Sequence, residues 1–314
     1  MNQVDWIVLV SVLLIIVFYG LWKSRGTGTI DSYLLADRSL PWYVVGFSVF
    51  ATQASAITFL SMPGQAYTDG MRFIQFYFGL PLATIIIAFF FIPLYQKLKV
   101  YTAYEYLETR FDLKTRVFAA FLFLLQRGLL AGLTIYAPSI IVSTLLGWNI
   151  YLTNLVVGGL VIAYTVTGGS KALSYTQFIQ FFIILSGIFL AGYMILNFLP
   201  SDVSFIDIVK VAGKTGKLKS IDFSFDVTSR YNIWSGTIGG LFLMLAYFGT
   251  DQTQVMRYLS GKSIKQSQMG LIMNGLIKIP MQFCILFVGI ILSAFFWFEK
   301  PPLIFNPTET KKIL

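Results

Sequence analysis

Histidine is absent from this sequence of 314 residues, and cysteine occurs only once, as Cys284. Without histidine, the chain has no imidazole for a metal site or for an acid–base relay. One cysteine cannot form a disulfide within the chain, so no disulfide framework supports the fold. Charged residues are also scarce, at 12% of the sequence, and this argues against a soluble domain.

Hydrophobic residues make up 56% of the sequence, and the mean hydropathy is +0.74. This composition predicts a polytopic all-α protein that lies in a lipid bilayer. The net charge of +9 is explained by basic loops at the membrane surface, so we infer no nucleic-acid binding. The N-terminus lacks the basic region of a signal peptide, so we expect the first span to be retained. Eight apolar windows are long enough to cross a bilayer: about 4–22, 42–66, 73–96, 117–146, 149–167, 174–199, 232–257 and 269–297.

The second of these windows is interrupted by polar residues at its middle. Among small alanines it contains Thr52, Gln53, Ser55, Thr58 and Ser61. A helix that opens here would offer carbonyl oxygens to a cation and N–H groups to a polar solute. Such a break is tolerated in a membrane only where it lines a cavity. The alternative interpretation is a continuous helix whose hydroxyl groups bond its own carbonyls.

Basic residues predict the orientation of the chain in the membrane. The short loops on one side contain little besides Arg72, whereas those on the other side are rich in lysine and arginine. Cytoplasmic loops carry this excess, so we predict a multi-pass protein of the cell membrane, expected in a bacterial inner membrane, with its N-terminus outside. The twelve cations of the basic side are Lys23, Arg25, Arg38, Lys97, Lys99, Arg110, Lys114, Arg116, Lys171, Arg257, Lys262 and Lys265.

Three charged residues fall inside predicted spans: Arg127, Asp251 and Lys278. A charge at the middle of a membrane costs about 2.5 kcal/mol or more unless it is paired or hydrated. We therefore expect these side chains to face one another or a water-filled cavity. The alternative is that the long side chains extend to the membrane interface.

A second polar interruption, Gly249–Gln254, lies in the window 232–257. Each interrupted window begins a group of spans, and the two predicted directions are opposite. This arrangement is typical of an inverted-repeat transporter, in which the ends of half-helices face a central site. Two G-x-x-x-G spacings, Gly128–Gly132 and Gly236–Gly240, predict close helix packing. Residues 101–111 are predicted to form a short interfacial helix.

Three stretches together resemble the sodium/solute symporter family: 36–64 (ADRSLPWYVVGFSVFATQASAITFLSMPG), 165–180 (TVTGGSKALSYTQFIQ) and 249–263 (GTDQTQVMRYLSGKS). The resemblance implies a LeuT-like fold, in which two inverted five-helix repeats follow an extra N-terminal helix. It also implies that the sequence ends before the helix that completes the family's sodium site. We therefore interpret the chain as the first part of a longer protein. In this frame the single transmembrane domain 1–314 divides into an extra helix at 4–22, a complete first repeat at 42–199, an external connection at 200–231 and the first two helices of a second repeat at 232–297.

The resemblance also implies roles for individual residues. The backbone carbonyls of Ala51 and Ala54 match sodium ligands, and oxygen ligands suit a hard cation. Lys278 resembles the cavity lysine of sugar-transporting members. Gln177 stands where many relatives have an aspartate that helps to bind a second sodium, so we expect one sodium per substrate. From the resemblance and the intramembrane charges together, the side chains expected to contact substrate are Gln53, Ser55, Thr58, Tyr77, Arg127, Asp251, Gln252 and Lys278.

These observations predict a transporter, not an enzyme, that takes up a small polar solute with sodium as the coupling ion. Two intramembrane cations against one acid favour an anionic solute, and residues 252–259 resemble the branch that carries monocarboxylates, vitamins and iodide. Gln53, Thr58 and Asp251 would equally suit a sugar. The alternative function is a symporter-like sensor module of a signalling protein. A membrane enzyme is disfavoured because no nucleophile lies beside a base, and the oligomeric state is left open.

Overall fold

The computed structural model describes residues 3–23, 29–226, 228–229 and 231–299. Two basic residues, Arg25 and Arg230, and the segment after Glu299 lie outside the described residues. Within the described ranges the regular structure is helical, apart from one isolated bridge between Leu40 and Gly261. The α-helices are α1 (Gln3–Lys23), α2 (Ile30–Leu35), α3 (Trp42–Gln53), α4 (Ala56–Asp69), α5 (Gly79–Ile86), α6 (Ile92–Lys97), α7 (Glu105–Arg110), α8 (Leu113–Leu146), α9 (Ile150–Asn197), α10 (Phe205–Lys214), α11 (Gly240–Thr250), α12 (Gln252–Leu259) and α13 (Ile264–Phe295).

Apolar helical stretches reproduce the predicted spans in order, and the predicted all-α polytopic fold is confirmed. The predicted interfacial helix is present as α7. Shorter apolar helices, Ile150–Ile162 and Ser235–Thr250, and the helices α1 and α3 account for the remaining windows. Among the described residues, four stretches are long and apolar enough to cross a membrane: Ser61–Lys97, Leu113–Leu146, Gly169–Asn197 and Ile264–Phe295.

Two connections differ from their predicted form. The predicted loop at Lys171 is replaced by a kink inside α9, where Gly169 adopts a φ of 56° and a ψ of −169°. Only glycine reaches this conformation without strain. The polar connection 200–231 contains α10, which begins at a capping box formed by Ser204 and Asp207. The hydrogen bonds from Ser204 lower the pKa of the Asp207 carboxyl group.

Both predicted helix breaks are present. α3 ends at Gln53, and Ala54 leaves the helical conformation with a φ of −89° and a ψ of 77°. Ser55 is extended and caps α4 by accepting a hydrogen bond from the Thr58 N–H at 3.4 Å. At the second break Asp251 is extended, and its carboxylate caps α12 by accepting from the Thr253 N–H at 2.9 Å.

Helix α13 packs closely against the first broken helix and against α5. A Cβ added to Gly270 would lie 2.8 Å from the Trp42 carbonyl oxygen, and one added to Gly289 would lie 2.1 Å from the Pro63 carbonyl oxygen. Trp42 begins α3, whereas Pro63 lies in α4. The middle of α13 is therefore held beside the break between these two half-helices.

The outer ends of α3 and α12 are joined directly. The Leu40 N–H donates to the Ser260 carbonyl, and the Lys262 N–H donates to the Leu40 carbonyl, both at 3.0 Å. The prediction that Arg257 is a loop cation is wrong, because α12 continues to Leu259 and turns this side chain inward (4% exposed). Its guanidinium donates to the Ser174 hydroxyl of α9 at 3.2 Å.

The two glycine spacings behave differently. A Cβ added to Gly236 or Gly240 would lie within 2.6 Å of backbone oxygens of the turn that precedes α5, so the predicted close packing is confirmed there. Gly128 and Gly132 in α8 have no described atom within 4 Å of an added Cβ. The packing predicted for this pair is therefore wrong within the described part of the chain.

Candidate functional site

A cavity of about 260 Å³ lies beside both helix breaks. Gln53, the last residue of α3, borders it from the first break. Tyr247, in the last turn of α11, borders it from the second. The described residues that line it are Gln53, Tyr77, Leu243, Met244, Tyr247 and Lys278. The structure thus brings together three of the predicted substrate residues, namely Gln53, Tyr77 and Lys278.

Lys278 is the charged group of this cavity and is almost fully buried (1% exposed). Its ammonium nitrogen lies 5.1 Å from the ring centroid of Phe50 and 5.6 Å from that of Tyr77. None of the ion pairs among the described residues includes Lys278. Ring faces attract a cation only weakly compared with a carboxylate. The positive charge is therefore available to a bound anion.

Gln53 connects the first break to α13. Its side-chain nitrogen donates to the Asn274 side-chain oxygen at 3.0 Å. Asn274 is itself fully buried and lies one turn before Lys278 on the same helix. The hydrogen bond therefore fixes the end of α3 relative to the cavity lysine.

Ser55 and Thr58 hold the break open instead of lining the cavity. Ser55 caps α4, and the Thr58 hydroxyl donates to the Gln53 carbonyl at 3.1 Å. These contacts satisfy backbone groups that the interrupted helix leaves without partners. Direct substrate contact by either hydroxyl stays a prediction.

The carbonyls of Ala51 and Ala54 suit the predicted sodium site. The Ala51 carbonyl accepts the Ala54 N–H at 3.0 Å, and a carbonyl oxygen retains a second lone pair. Ala54 is outside the helix, so its carbonyl is released from the regular hydrogen-bond ladder. Backbone oxygens at a helix break are the kind of ligand that a hard monovalent cation takes, and the role of these two as sodium ligands stays a prediction.

Asp251 forms an ion pair with Arg127 of α8. Arg127, Asp251 and Lys278 were expected to face one another or a cavity, and both arrangements occur: Arg127 faces Asp251, whereas Lys278 borders the cavity. One carboxylate oxygen of Asp251 caps α12 and the other meets Arg127, and Asp251 is not among the residues that line the cavity. Lys278 does not take part in this ion pair.

Gln252 contacts the interfacial segment before α7. Its side-chain oxygen accepts the Ala103 N–H at 2.9 Å, and its nitrogen donates to the Tyr101 carbonyl at 3.0 Å. This places Gln252 outside the cavity lining. Its predicted contact with substrate, like that of Arg127 and Asp251, stays a prediction.

Tyr247 links the cavity to the Arg127–Asp251 pair, and it was not among the residues predicted from the sequence. Its hydroxyl accepts from the Gln254 side chain at 2.8 Å and also interacts with Arg127. An isolated tyrosine in an apolar helix looks like a core residue. Only its position one turn before the polar interruption could have identified it.

The Gln177 side-chain oxygen accepts two hydroxyl hydrogen bonds, from Ser48 at 2.9 Å and from Thr52 at 3.3 Å. The amide carries no charge, and its oxygen already has two donors. This arrangement agrees with the expectation of one sodium per substrate, which stays a prediction.

Comparisons with known proteins identify relatives of this chain. The model of the sodium:solute symporter family matches residues 33–307. The human sodium/iodide cotransporter is 30% identical over 275 residues, which cover 86% of this chain and 42% of that protein. The rabbit sodium-dependent multivitamin transporter is 32% identical over 268 residues, which cover 84% of this chain and 42% of that protein. The chain thus spans less than half the length of these two relatives.

A solved structure shares the fold. It shows the substrate-bound, outward-open state of a Na⁺-coupled sialic acid symporter. The two structures superpose with a TM-score of 0.85 at 28% identity, over 94% of this chain and 61% of the other.

Proposed function

Because this chain belongs to the sodium:solute symporter family, we propose that it carries a small organic anion across the cell membrane together with sodium. The relatives found are transporters, so the reaction expected is movement of a solute rather than chemical conversion. They give no support to a sensor module. The observation that carries the proposal is Lys278, a buried cation that faces the cavity with aromatic rings as its described neighbours.

Charge balance favours an anionic solute over a neutral sugar. The intramembrane acid Asp251 is already paired with Arg127, so it does not neutralise Lys278. A buried ammonium without a counter-ion is costly, and an anionic solute would supply that counter-ion. The human relative is named for iodide, and the solved symporter for sialic acid. These names agree with an anion at the corresponding cavity.

Sodium would bind at the break between α3 and α4 and couple to the solute through Gln53. The carbonyls of Ala51 and Ala54 are one turn or less from this side chain, which borders the cavity and bonds Asn274. Ordering the break by sodium would order the solute site. The solute must then strengthen sodium binding by the same factor.

The test is uptake by the protein expressed from its native reading frame and reconstituted into liposomes. We expect labelled pentanoate or 4-hydroxybutyrate to enter under an inward sodium gradient, with a Hill coefficient for sodium near one. Glucose should not enter. Lys278→Gln should abolish uptake, whereas Lys262→Gln, at an exposed lysine just before α13, should leave uptake unchanged.

Three results would contradict the proposal. Uptake that persists after the sodium gradient is collapsed would remove the coupling. Normal anion uptake by Lys278→Gln would remove the cavity lysine from the site. A Hill coefficient near two would show that a group other than an acid at position 177 supports a second sodium.

A further inference from the structure

Helix α13 presents a line of three buried polar side chains. Asn274, Lys278 and Gln282 are spaced four residues apart, so they lie on one face of the helix. Their exposed fractions are 0%, 1% and 0%. Lys278, at the centre, borders the cavity. Gln282 lies one turn further, before the apolar cluster that includes Leu286 and Ala66.

Most of the hydrogen-bonding groups along this line have no partner among the described residues. Gln282 leaves both its side-chain nitrogen and its oxygen unmet, and Asn274 leaves its side-chain nitrogen unmet. Lys278 has ring faces as its described contacts. Buried polar groups are nearly always hydrogen-bonded, so a group without a partner requires an explanation. Two such side chains, one turn before and one turn after a lysine that borders the cavity, point to a ligand.

The unmet groups define the chemistry of that ligand. The Asn274 nitrogen and the Lys278 ammonium are donors, so they require acceptors such as carboxylate oxygens. Gln282 offers both a donor and an acceptor. A single hydroxyl or amide group on the ligand could bond with both of them, because each of these groups also contains a donor and an acceptor. Side chains one turn apart on a helix are separated by about 5–6 Å at Cβ. The ligand must therefore carry its neutral group at about that distance from its charge.

We propose that Gln282 is a specificity-determining residue that selects a carboxylic acid bearing a hydroxyl or amide group about one helix turn from its carboxylate. The proposal rests on the function proposed above, because Lys278 binds the carboxylate in both. It goes further by excluding a halide or an unsubstituted short acid as the preferred solute.

The experiment compares two solutes of equal size in sodium-driven uptake into proteoliposomes. The acid 4-hydroxybutyrate carries a hydroxyl group where pentanoate carries a methyl group. The wild-type protein should prefer 4-hydroxybutyrate by about five- to tenfold, the usual worth of one neutral hydrogen bond. Gln282→Leu should remove this preference by weakening only 4-hydroxybutyrate. Gln282→Asn, which keeps the amide on a shorter stem, should retain part of it.

Stability separates a binding role from a structural one. Gln282→Leu removes two unmet polar atoms at similar volume, so the melting temperature should not fall. If both acids enter equally well and Gln282→Leu changes neither, the proposal fails while the proposed function stands. The proposal also fails if Gln282→Leu lowers the melting temperature and reduces the uptake of both acids equally. Gln282 would then bind only water or protein groups. If neither acid enters under a sodium gradient, the proposed function itself fails.

Discussion

At the scale of single residues, three intramembrane cations are accommodated in three different ways. Arg127 is paired with the carboxylate of Asp251. Arg257 donates to the hydroxyl of Ser174 and to the carbonyl of Ser170. Lys278 has only ring faces as described contacts. The first two cations thus have polar partners within the protein, whereas Lys278 belongs to none of the ion pairs among the described residues.

The Arg127–Asp251 pair leads to a prediction about folding rather than binding. Asp251→Asn leaves the Arg127 guanidinium without its counter-ion. Breaking a fully buried pair costs about 3–5 kcal/mol, and the cost here is smaller because the two side chains are 24% and 11% exposed. Folded yield and melting temperature in detergent should fall for Asp251→Asn and recover in the double variant with Arg127→Gln.

The matched control for this prediction is Lys210→Gln, which breaks an exposed pair with Asp207, leaves the capping box of α10 in place and should have little effect. A normally folded Asp251→Asn protein with a lowered affinity for solute would contradict this prediction. It would show that Asp251 contributes to substrate binding.

The residues around the cavity were only partly predictable. Gln53 and Lys278 were recognised because polar groups are conspicuous in apolar spans, and the family resemblance supported them, whereas Tyr77 was indicated by the resemblance alone. The pairing of Asp251 could not be predicted, because spacing along a chain does not specify which face of one helix meets another. Asn274 and Gln282 were missed although both lie four residues from Lys278. These two residues stand out because they are polar and buried, and their burial is known only from the packing of the helices in the structure.

At the scale of the helices, the breaks were predictable and their supporting contacts were not. Thr58 and Asp251 mark the two breaks in the sequence, and in the structure both stabilise backbone groups there. The kink at Gly169 was instead interpreted as a loop, because a glycine pair and a lysine resemble a loop in sequence.

The glycine pairs lead to a prediction about packing. Gly240→Ala places a methyl group 2.5 Å from the Phe76 carbonyl oxygen, so the helices must separate. Such overpacking usually costs about 1–3 kcal/mol. Gly132→Ala has the same spacing motif but meets no described atom within 4 Å. Alanine is the better helix former, so this variant should be neutral or slightly stabilising.

Melting temperatures of both alanine variants in detergent check the packing prediction. Equal destabilisation by Gly240→Ala and Gly132→Ala would show that α8 is packed as closely as α11.

At the scale of the whole molecule, the cavity lies between two sets of contacts at opposite ends of α13. Near its start, the Gln266 side chain accepts the Trp42 N–H at 2.7 Å. Near its end, Lys217 donates to the Ser293 hydroxyl at 2.6 Å and to the Tyr67 carbonyl. Lys278 is about 18 Å from the first contact and about 22 Å from the second, at 1.5 Å per residue. Lys278 therefore lies near the middle of α13, between these two contacts.

Which end faces the cytoplasm is the last prediction. Removing the buried Arg257, and Lys171, which lies within α9, from the twelve predicted loop cations leaves ten predicted on the side where α13 begins. This excess still predicts that the start of α13 is cytoplasmic and that the turn after α4 is external. Lys262 and Thr68 are exposed at these two ends.

In a Cys284→Ser background, a membrane-impermeant maleimide added to intact cells should label Thr68→Cys at once and Lys262→Cys only after the cells are opened. Each variant must first show normal folded yield, so that labelling reports position rather than unfolding. Labelling of Lys262→Cys alone in intact cells would invert the orientation and place the N-terminus inside. Labelling of both would mean that the chain between α4 and α13 does not cross the membrane as its apolar windows predict.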